Sequence, residues 1–252
     1  KALLQGSFES RMLVPKTCLL DLIHPAAQKM LESLGGSLRF QSAVQSISVS
    51  ADRVTAVELR DNPALTADAY VLALDPQSLT SLLPDRYEPL AEIKSLASGF
   101  SYSPIISIYV WIKGRVLDDP VIGLLGSPLH WIFNKSPNSR GDQLLCGVIS
   151  AAEQWKDTHP SEIKKHLLWE FSRYLHNFSS DRVIHIRLIH ERRATVLLKP
   201  GTRRPPVTTA LPNLFIAGSW TDTGLPATIE GAVLSGRLCA EAVKKFGVSA
   251  TE

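Results

Sequence analysis

The chain has 252 residues, 44% hydrophobic and 20% charged, enough for one large domain or two modest ones with ample core. Its 27 basic and 24 acidic residues leave a net charge of +3, too little to argue for nucleic acid, and no motif for one accompanies it. Cys18, Cys146 and Cys239 are far apart and lack a CxxC spacing, which supports neither a disulfide framework nor a zinc site and points to thiols in a reducing compartment.

In chain order, Leu13-Val14-Pro15 is a short apolar start, and Pro25 is expected to open a helix. Ala27, Met30, Leu31 and Leu34 recur at helical spacing, and Gly35-Gly36 stops them. His24 just before it reads as a cap or surface residue. Three strand-like segments follow at Ala43–Ser50, Arg53–Arg60 and Leu65–Ala69, with turns at Ala51-Asp52 and Asp61-Asn62-Pro63. Val71–Leu74, ended by Asp75-Pro76, reads as a fully buried strand.

The character changes from about Leu79, after which Leu82-Leu83-Pro84 closes the first section. Pro104–Ile112 alternates Ile105, Ser107, Tyr109 and Trp111 with Ile106, Ile108, Val110 and Ile112, so both faces are expected to be covered. His130–Asn134 and Leu144–Ser150 are further strands. Pro160 begins an amphipathic helix with Ile163, Leu167, Phe171 and Leu175 on one face, and Val183–Ile189 returns as a strand. His185 and His190 fall on opposite faces of that strand, which argues against a metal pair. Arg192, Arg193, Arg203 and Arg204 read as solvated charge, with anion binding as the alternative. Pro120–Phe133 is apolar without period and reads as core, with a tunnel lining or bilayer contact as alternatives. The longest uncharged runs, such as Leu96–Ile112, are broken by Ser, Pro and Gly, so no transmembrane helix is predicted. The N-terminus also lacks the order of a signal peptide.

The most informative stretch is the last. Leu214–Ala217 is a short buried strand, Gly218 ends it, Asp222-Thr223-Gly224 loops, and Pro226 suits the first turn of a helix reaching about Lys245. Small residues at 228, 231, 232, 235, 236, 239 and 240 share one helical face, with Ile229, Val233 and Leu234 off it and free to pack elsewhere. A strand that aims a helix N-terminus outward is an anion site, through free N–H groups and the helix dipole.

The conjunction of Ala217-Gly218, Pro226-Ala227-Thr228 and Glu230-Gly231-Ala232 followed by Ser235-Gly236-Arg237 resembles the C-terminal flavin-binding signature of the FAD-dependent amine oxidase and phytoene desaturase superfamily. Within that superfamily the chain most resembles the squalene-associated branch, the hydroxysqualene dehydroxylases; the aromatic Trp220 is similar to carotenoid-type and squalene-type enzymes alike, where true amine oxidases tend to carry an acidic residue. The resemblance runs from about Met12 to about Val243 and takes in Arg192-Arg193-Ala194-Thr195. It implies an α/β (α+β) fold: a partial FAD/NAD(P)-binding domain with a β-meander, residues 1–78 and 211–252, and an inserted sheet-and-helix substrate domain, residues 79–210. Carried over by position, Val44 meets adenine and Ala73 ends a return strand beside the flavin. Gly218 and Ser219 face the ribityl chain, Pro226, Ala227, Thr228 and Ile229 lie near the flavin ring, and Trp220 and Thr223 shape its face. The related pattern usually has Asp where this chain has Ser219, which exchanges an ionic hydrogen bond for a weaker neutral one. Asp222, the one carboxylate in the signature loop, is the candidate acid for a leaving oxygen if burial raises its pKa; a loop or cap role is the plainer reading.

The implied activity is flavin redox chemistry on a long isoprenoid, hydroxysqualene to squalene, with FAD as cofactor and no metal. Two alternatives stay open: a carotenoid-type desaturase, and a non-catalytic lipid-binding or interaction fragment. No G-x-G-x-x-G pyrophosphate unit is present, so the chain reads as the later portion of a longer protein that alone holds FAD poorly. Strands meant for the missing unit, notably Leu214–Ala217, would then have open edges and invite a homodimer or pairing with that segment. The implied partners are an apolar isoprenoid and a peripheral membrane contact, at the cytoplasmic inner face of a bacterial membrane, with no nucleic acid.

Overall fold

The structure is a computed structural model that describes residue 15 and residues 17–85, 87–136 and 140–249; Leu13 and Val14 of the apolar start lie outside them. The chain divides into two compact units, 1–42 and 43–252.

The first unit contains helix α1 (Leu19–Ser33). The helix does not start at Pro25, as expected, but encloses it, and His24 lies inside it rather than before it. Pro25 removes one backbone bond, which the helix-forming residues before it outweigh. The expected stop is observed: Gly35 has φ +80°, its N–H donates to the Glu32 carbonyl (3.0 Å), and the Gly36 N–H donates to the Leu31 carbonyl (2.9 Å). None of the α1 side chains is buried.

In the second unit, β1 (Val44–Ser50) and β2 (Arg53–Leu59) form an antiparallel hairpin. The expected third strand shrinks to one bridge, Val57 with Leu65. Beyond it the Ala67 N–H donates to the Tyr70 hydroxyl (2.8 Å), which itself donates to the Thr55 carbonyl, so a side chain replaces the ladder. β3 (Tyr70–Ala73) pairs in parallel with β9 (Leu214–Ala217), Tyr70 opposite Leu214 and Ala73 opposite Ala217. β9 is buried at every position, but β3 is not the fully buried strand expected. Tyr70 and Leu72 point into the core, whereas Val71 is 47% exposed. The open sheet edge also belongs to β3, not to β9. β9 is flanked by Thr208, and its Ile216 N–H donates to the Val207 carbonyl (2.9 Å), while β3 has one neighbour strand among the described residues.

Asn213 joins hairpin to parallel pair. Its Oδ1 accepts from the Val54 N–H (2.9 Å), its Nδ2 donates to the Val54 carbonyl (2.8 Å), and its own carbonyl accepts from the Tyr70 N–H (2.8 Å). Helices α2 (Pro76–Leu82) and α3 (Ala91–Ser98) close this core: Leu79, Leu83, Leu90, Ile93 and Ala97 pack with Val54, Tyr70, Leu72, Ile216 and Trp220.

The larger sheet is antiparallel, in the order β5-β6-β7-β4-β8. Its strands are β4 (Ser101–Ile112), β5 (Val121–Gly123), β6 (Trp131–Asn134), β7 (Gln143–Ile149) and β8 (Val183–Leu197), the last running well past the expected end at Ile189. Helix α4 (Pro160–Tyr174) belongs to this core, with Ile163, Leu167, Phe171 and the following Leu175 clustered with Ile106, Ile108, Val110 and Ile112. Only that face is fully covered. Ile105, Ser107, Tyr109 and Trp111 on the other stay half-buried, contrary to the two-sided expectation. Helix α5 (Ile229–Ser249) covers β9: Phe215, Ala217 and Cys239 cluster with Ala242, Val243 and Phe246. Ile229 and Val233 do not pack elsewhere; they are 62% and 56% exposed. Among the described residues no helix is long and apolar enough to cross a membrane.

Because Asn213 is fully buried, Asn213→Ala leaves the Val54 N–H and carbonyl without partners. The expected cost is about 2–4 kcal/mol in urea unfolding; a loss under about 0.5 kcal/mol would show that the hairpin docks by apolar contact alone.

Candidate functional site

The parallel strands β3 and β9 end side by side at Ala73 and Ala217, and ligands of α/β sheets bind beyond such carboxyl ends. Two segments leave from there, Leu74-Asp75 into α2 and Gly218 into the loop that launches α5. A Cβ on Gly218 would lie 2.6 Å from the Trp220 Nε1, so glycine is needed for this close approach. The Gly218 N–H donates to the Ser235 hydroxyl (2.8 Å), and its carbonyl accepts from the Thr221 N–H and hydroxyl. Gly218 therefore ties the loop to α5 instead of offering its N–H outward.

Trp220 is a correction. It is 1% exposed, its Nε1 donates to the Leu74 carbonyl (2.9 Å), and it meets Phe100 edge-on at 5.5 Å. An indole so enclosed has no face for a ligand ring; it locks the turn to the end of β3. Asp222 is exposed, and its N–H donates to the Pro205 carbonyl (2.8 Å), so burial does not prepare it as an internal acid.

Arg204 holds the loop, and reading it as solvated charge missed it. Its guanidinium donates to the carbonyls of Ser219 (2.8 Å), Trp220 (3.2 Å) and Leu225 (2.6 Å) and to the Thr223 hydroxyl (3.1 Å). Only a fork of several planar donors reaches so many acceptors at once. No periodicity in the sequence marks it, although the Pro205-Pro206 that follows fixes the backbone there. Its neighbour Arg203 makes an exposed ion pair with Glu92 (3.1 Å). Arg193 donates to the Gln77 Oε1 (2.6 Å) and lies over the Tyr102 ring.

The helix begins at Ile229, later than Pro226. Pro226 instead turns the chain: its carbonyl accepts from the Thr228 N–H (2.8 Å) and would lie 2.6 Å from a Cβ on Gly231. The Thr228 hydroxyl caps the helix by accepting from the Gly231 N–H (3.2 Å). The N–H groups of Ile229 and Glu230 have no acceptor among the described residues, and Pro226, Thr228 and Ile229 are exposed. Ala73 is exposed, and Ser219 and Ala227 are half-buried. The structure thus gathers Ser219, Pro226, Ala227, Thr228 and Ile229 on one Arg204-pinned loop beyond the strand ends. Val44 belongs to another element, opening β1 opposite Leu59 at 39% exposure. Two unpartnered N–H groups at an open helix N-terminus fit the polar edge of a flavin. Among the described residues no cluster of three or more His, Cys, Asp or Glu can hold a metal.

Parallel strands ending in a pinned turn and an outward helix N-terminus, beside an antiparallel sheet, are what this chain shares with the FAD-dependent oxidoreductase fold. The chain belongs to the flavin containing amine oxidoreductase family, whose model matches residues 7–244. It is 29% identical over 245 residues to hydroxysqualene dehydroxylase of Sinorhizobium fredii, covering 96% of this chain and 54% of that protein. A 15-cis-phytoene desaturase of an Oncidium hybrid cultivar is 26% identical over 236 residues, covering 84% and 39%. Among solved structures, an oxidoreductase from Methanosarcina mazei has a TM-score of 0.69 at 16% identity, covering 86% and 53%, which shows a shared fold. The chain spans about half the length of the hydroxysqualene dehydroxylase it matches.

Two expectations follow. Arg204→Ala strands three loop carbonyls and should cost about 2–4 kcal/mol, with fast hydrogen exchange confined to 219–225, and Arg204→Lys should not restore protection. Unchanged exchange in that loop would show that Trp220 alone holds it.

Asp75 caps α2, accepting from the Gln77 and Ser78 N–H groups, the Ser78 hydroxyl and the Tyr102 hydroxyl. Burial works against its ionisation, but the bonds from Ser78, Tyr102 and the backbone outweigh it and hold the carboxyl below its ordinary value of 3.8. A depressed folded-state pKa stabilises above the unfolded value and is lost as pH falls through the folded one. Thermal melts should therefore show Asp75→Asn less stable than the parent at neutral pH, with the gap closing below about pH 4. A gap that stays constant down to about pH 2 would mean that the charge of Asp75 does not matter.

Proposed function

We propose that the chain belongs to an FAD-dependent oxidoreductase that acts on a long isoprenoid, converting a hydroxysqualene to squalene. The observation that carries this reading is the open N-terminus of α5, held outward by Arg204 with the Ile229 and Glu230 N–H groups unpartnered. Ala73, Ser219, Pro226, Ala227, Thr228 and Ile229 are the residues proposed to meet the flavin. Val44 is proposed for the adenine end, and Gly218 and Trp220 act behind them as positioning residues. Bound FAD, reduced by an external two-electron donor, would supply the hydride that replaces the hydroxyl, which leaves as water. The chain's own residues would orient the ring through the helix N-terminus and exclude water through the apolar core behind the loop.

An apolar substrate is supported by the open face of the large sheet, where Tyr109 and Trp111 on β4 and Phe133 and the exposed Trp131 on β6 flank β7, Tyr109 and Phe133 both standing opposite Cys146. The proposed division keeps a flavin portion, 1–78 and 211–252, and a substrate portion, 79–210. The packing of Leu79 to Ala97 with Trp220 favours moving the first boundary to about residue 100. A carotenoid-type desaturase is the second reading, favoured by the similarity to phytoene desaturase. The substrate implies a location at the inner face of a bacterial membrane.

The test is product analysis by the whole protein, loaded with FAD, offered separately hydroxysqualene with a reductant that keeps the flavin reduced and phytoene with an electron acceptor that reoxidises it. Squalene from the first supports the proposal, desaturated carotenoid from the second replaces it, and turnover of neither removes the isoprenoid assignment. The 252-residue chain alone should bind FAD weakly in calorimetry, because it lacks a glycine-rich pyrophosphate cradle. Tight stoichiometric binding would show that the helix N-terminus suffices.

A further inference from the structure

Residues 120–133, read from sequence as core, place Leu129 and Ile132 inside but leave Leu125 92% exposed at the tip of the β5–β6 connection. The tip is not loose. The Tyr174 hydroxyl donates to the Leu125 carbonyl (3.0 Å), and the Leu124 N–H donates to the His130 carbonyl (2.9 Å). The Ser127 hydroxyl donates to the Glu170 carboxylate (2.6 Å), and Glu170 is 1% exposed. Gly126, at φ +69° with open space around it, makes the bend that turns Leu125 outward. Two side chains of α4 thus hold a leucine in water, where it costs free energy unless something covers it.

The same helix presents Trp169, 54% exposed, with the Arg173 guanidinium 5.5 Å from its ring and 5.2 Å from that of Tyr174. Lys165 and Arg173 stand one turn to either side of Trp169, both exposed, and Lys164 is half-buried beside them. Glu162 is the exposed carboxylate at the start of this face, so cations outnumber anions there.

We propose that the 124–127 turn and the outer face of α4 dock on an anionic lipid bilayer, Leu125 and Trp169 entering the headgroup–acyl boundary and Lys165 and Arg173 meeting lipid phosphates. An amphipathic aromatic beside cations and a protruding aliphatic is the composition of an interfacial anchor. The shape decides against a protein partner: two projecting side chains make neither a groove nor the roughly 1,000 Å² that a specific interface needs. A fluid surface needs no complementary shape. The inference does not depend on the flavin reading.

The experiment is sedimentation of the 252-residue chain with phosphatidylcholine vesicles and with vesicles in which about a third of the lipid is phosphatidylglycerol. The chain should partition to the anionic vesicles and be released by salt. Leu125→Asp should weaken partitioning about tenfold or more, the equivalent of withdrawing one buried leucine. The pair Lys165→Glu and Arg173→Glu should abolish the preference for anionic lipid. Far-UV circular dichroism checks folding, and if Leu125→Asp is unfolded, Leu125→Ser and Trp169→Ser serve in its place. Absence of binding, or binding that all these variants leave unchanged, overturns the proposal. So does self-association without vesicles that Leu125→Asp removes, which would give the patch to a second copy of the chain.

Discussion

The Arg204 guanidinium is the contact on which the candidate site depends. Between the end of β9 and the start of α5 the chain has no ladder and no helix to satisfy its carbonyls, yet it runs over a packed core. Backbone acceptors in that position need donors, and water is largely shut out where Trp220 fills the space beneath. One planar cation supplies them at Ser219, Trp220 and Leu225 and adds the Thr223 hydroxyl. It also occupies the Leu225 carbonyl, the natural acceptor one turn before Ile229. The Ile229 and Glu230 N–H groups are free as the first N–H groups of a helix are, and the staple at Leu225 fixes the chain just before them.

The loop is fixed in turn to both cores of the second unit. Trp220 reaches Leu74 and Phe100, and Phe100 leads directly into β4. Tyr102 on β4 donates to Asp75 and pairs in register with Val196 of β8, which packs into the smaller core. The strands β4 and β8 therefore begin and end beside the flavin-type turn and carry their apolar residues, Ile106 to Ile112, into the larger core. The open sheet face is a continuation of those strands, not a separate module on a flexible tether. A shift at the turn would have to repack Phe100 and Tyr102, which close packing resists.

What the sequence made legible was whatever depends on short-range pattern. Helix α4 follows from Ile163, Leu167 and Phe171, β4 from strict alternation, and the end of α1 from two glycines. What it hid depends on partners distant in the chain. The third meander strand was lost because the Tyr70 hydroxyl takes the Ala67 N–H, which no local propensity shows. Alternation in β4 gave the two faces correctly but not what covers each, because one helix serves only one of them. Pro25 was given the role of helix start, which proline favours, while the apolar residues before it had already formed the first turns. Arg204 carried no signal at all, since an arginine followed by two prolines looks the same whether its head is in water or against three carbonyls.

The residues of the C-terminal signature divide unevenly between shape and contact. Gly218 is glycine because Trp220 lies against it, and Gly231 because the Pro226 carbonyl does. Ser235 takes the Gly218 N–H, and Trp220 is interior. These positions build the turn and would be required whatever lay beyond it. Ser219, Pro226, Ala227, Thr228 and Ile229 stay open to solvent, and as proposed flavin contacts they offer small side chains or backbone, which suit a cofactor's polar edge and distinguish little between substrates. Similarity in this stretch therefore carries information about the fold and the flavin. On the proposed reading, substrate choice falls instead to places where large side chains remain open, and the aromatic face of β4 and β6 is such a surface, free to vary while the turn is kept.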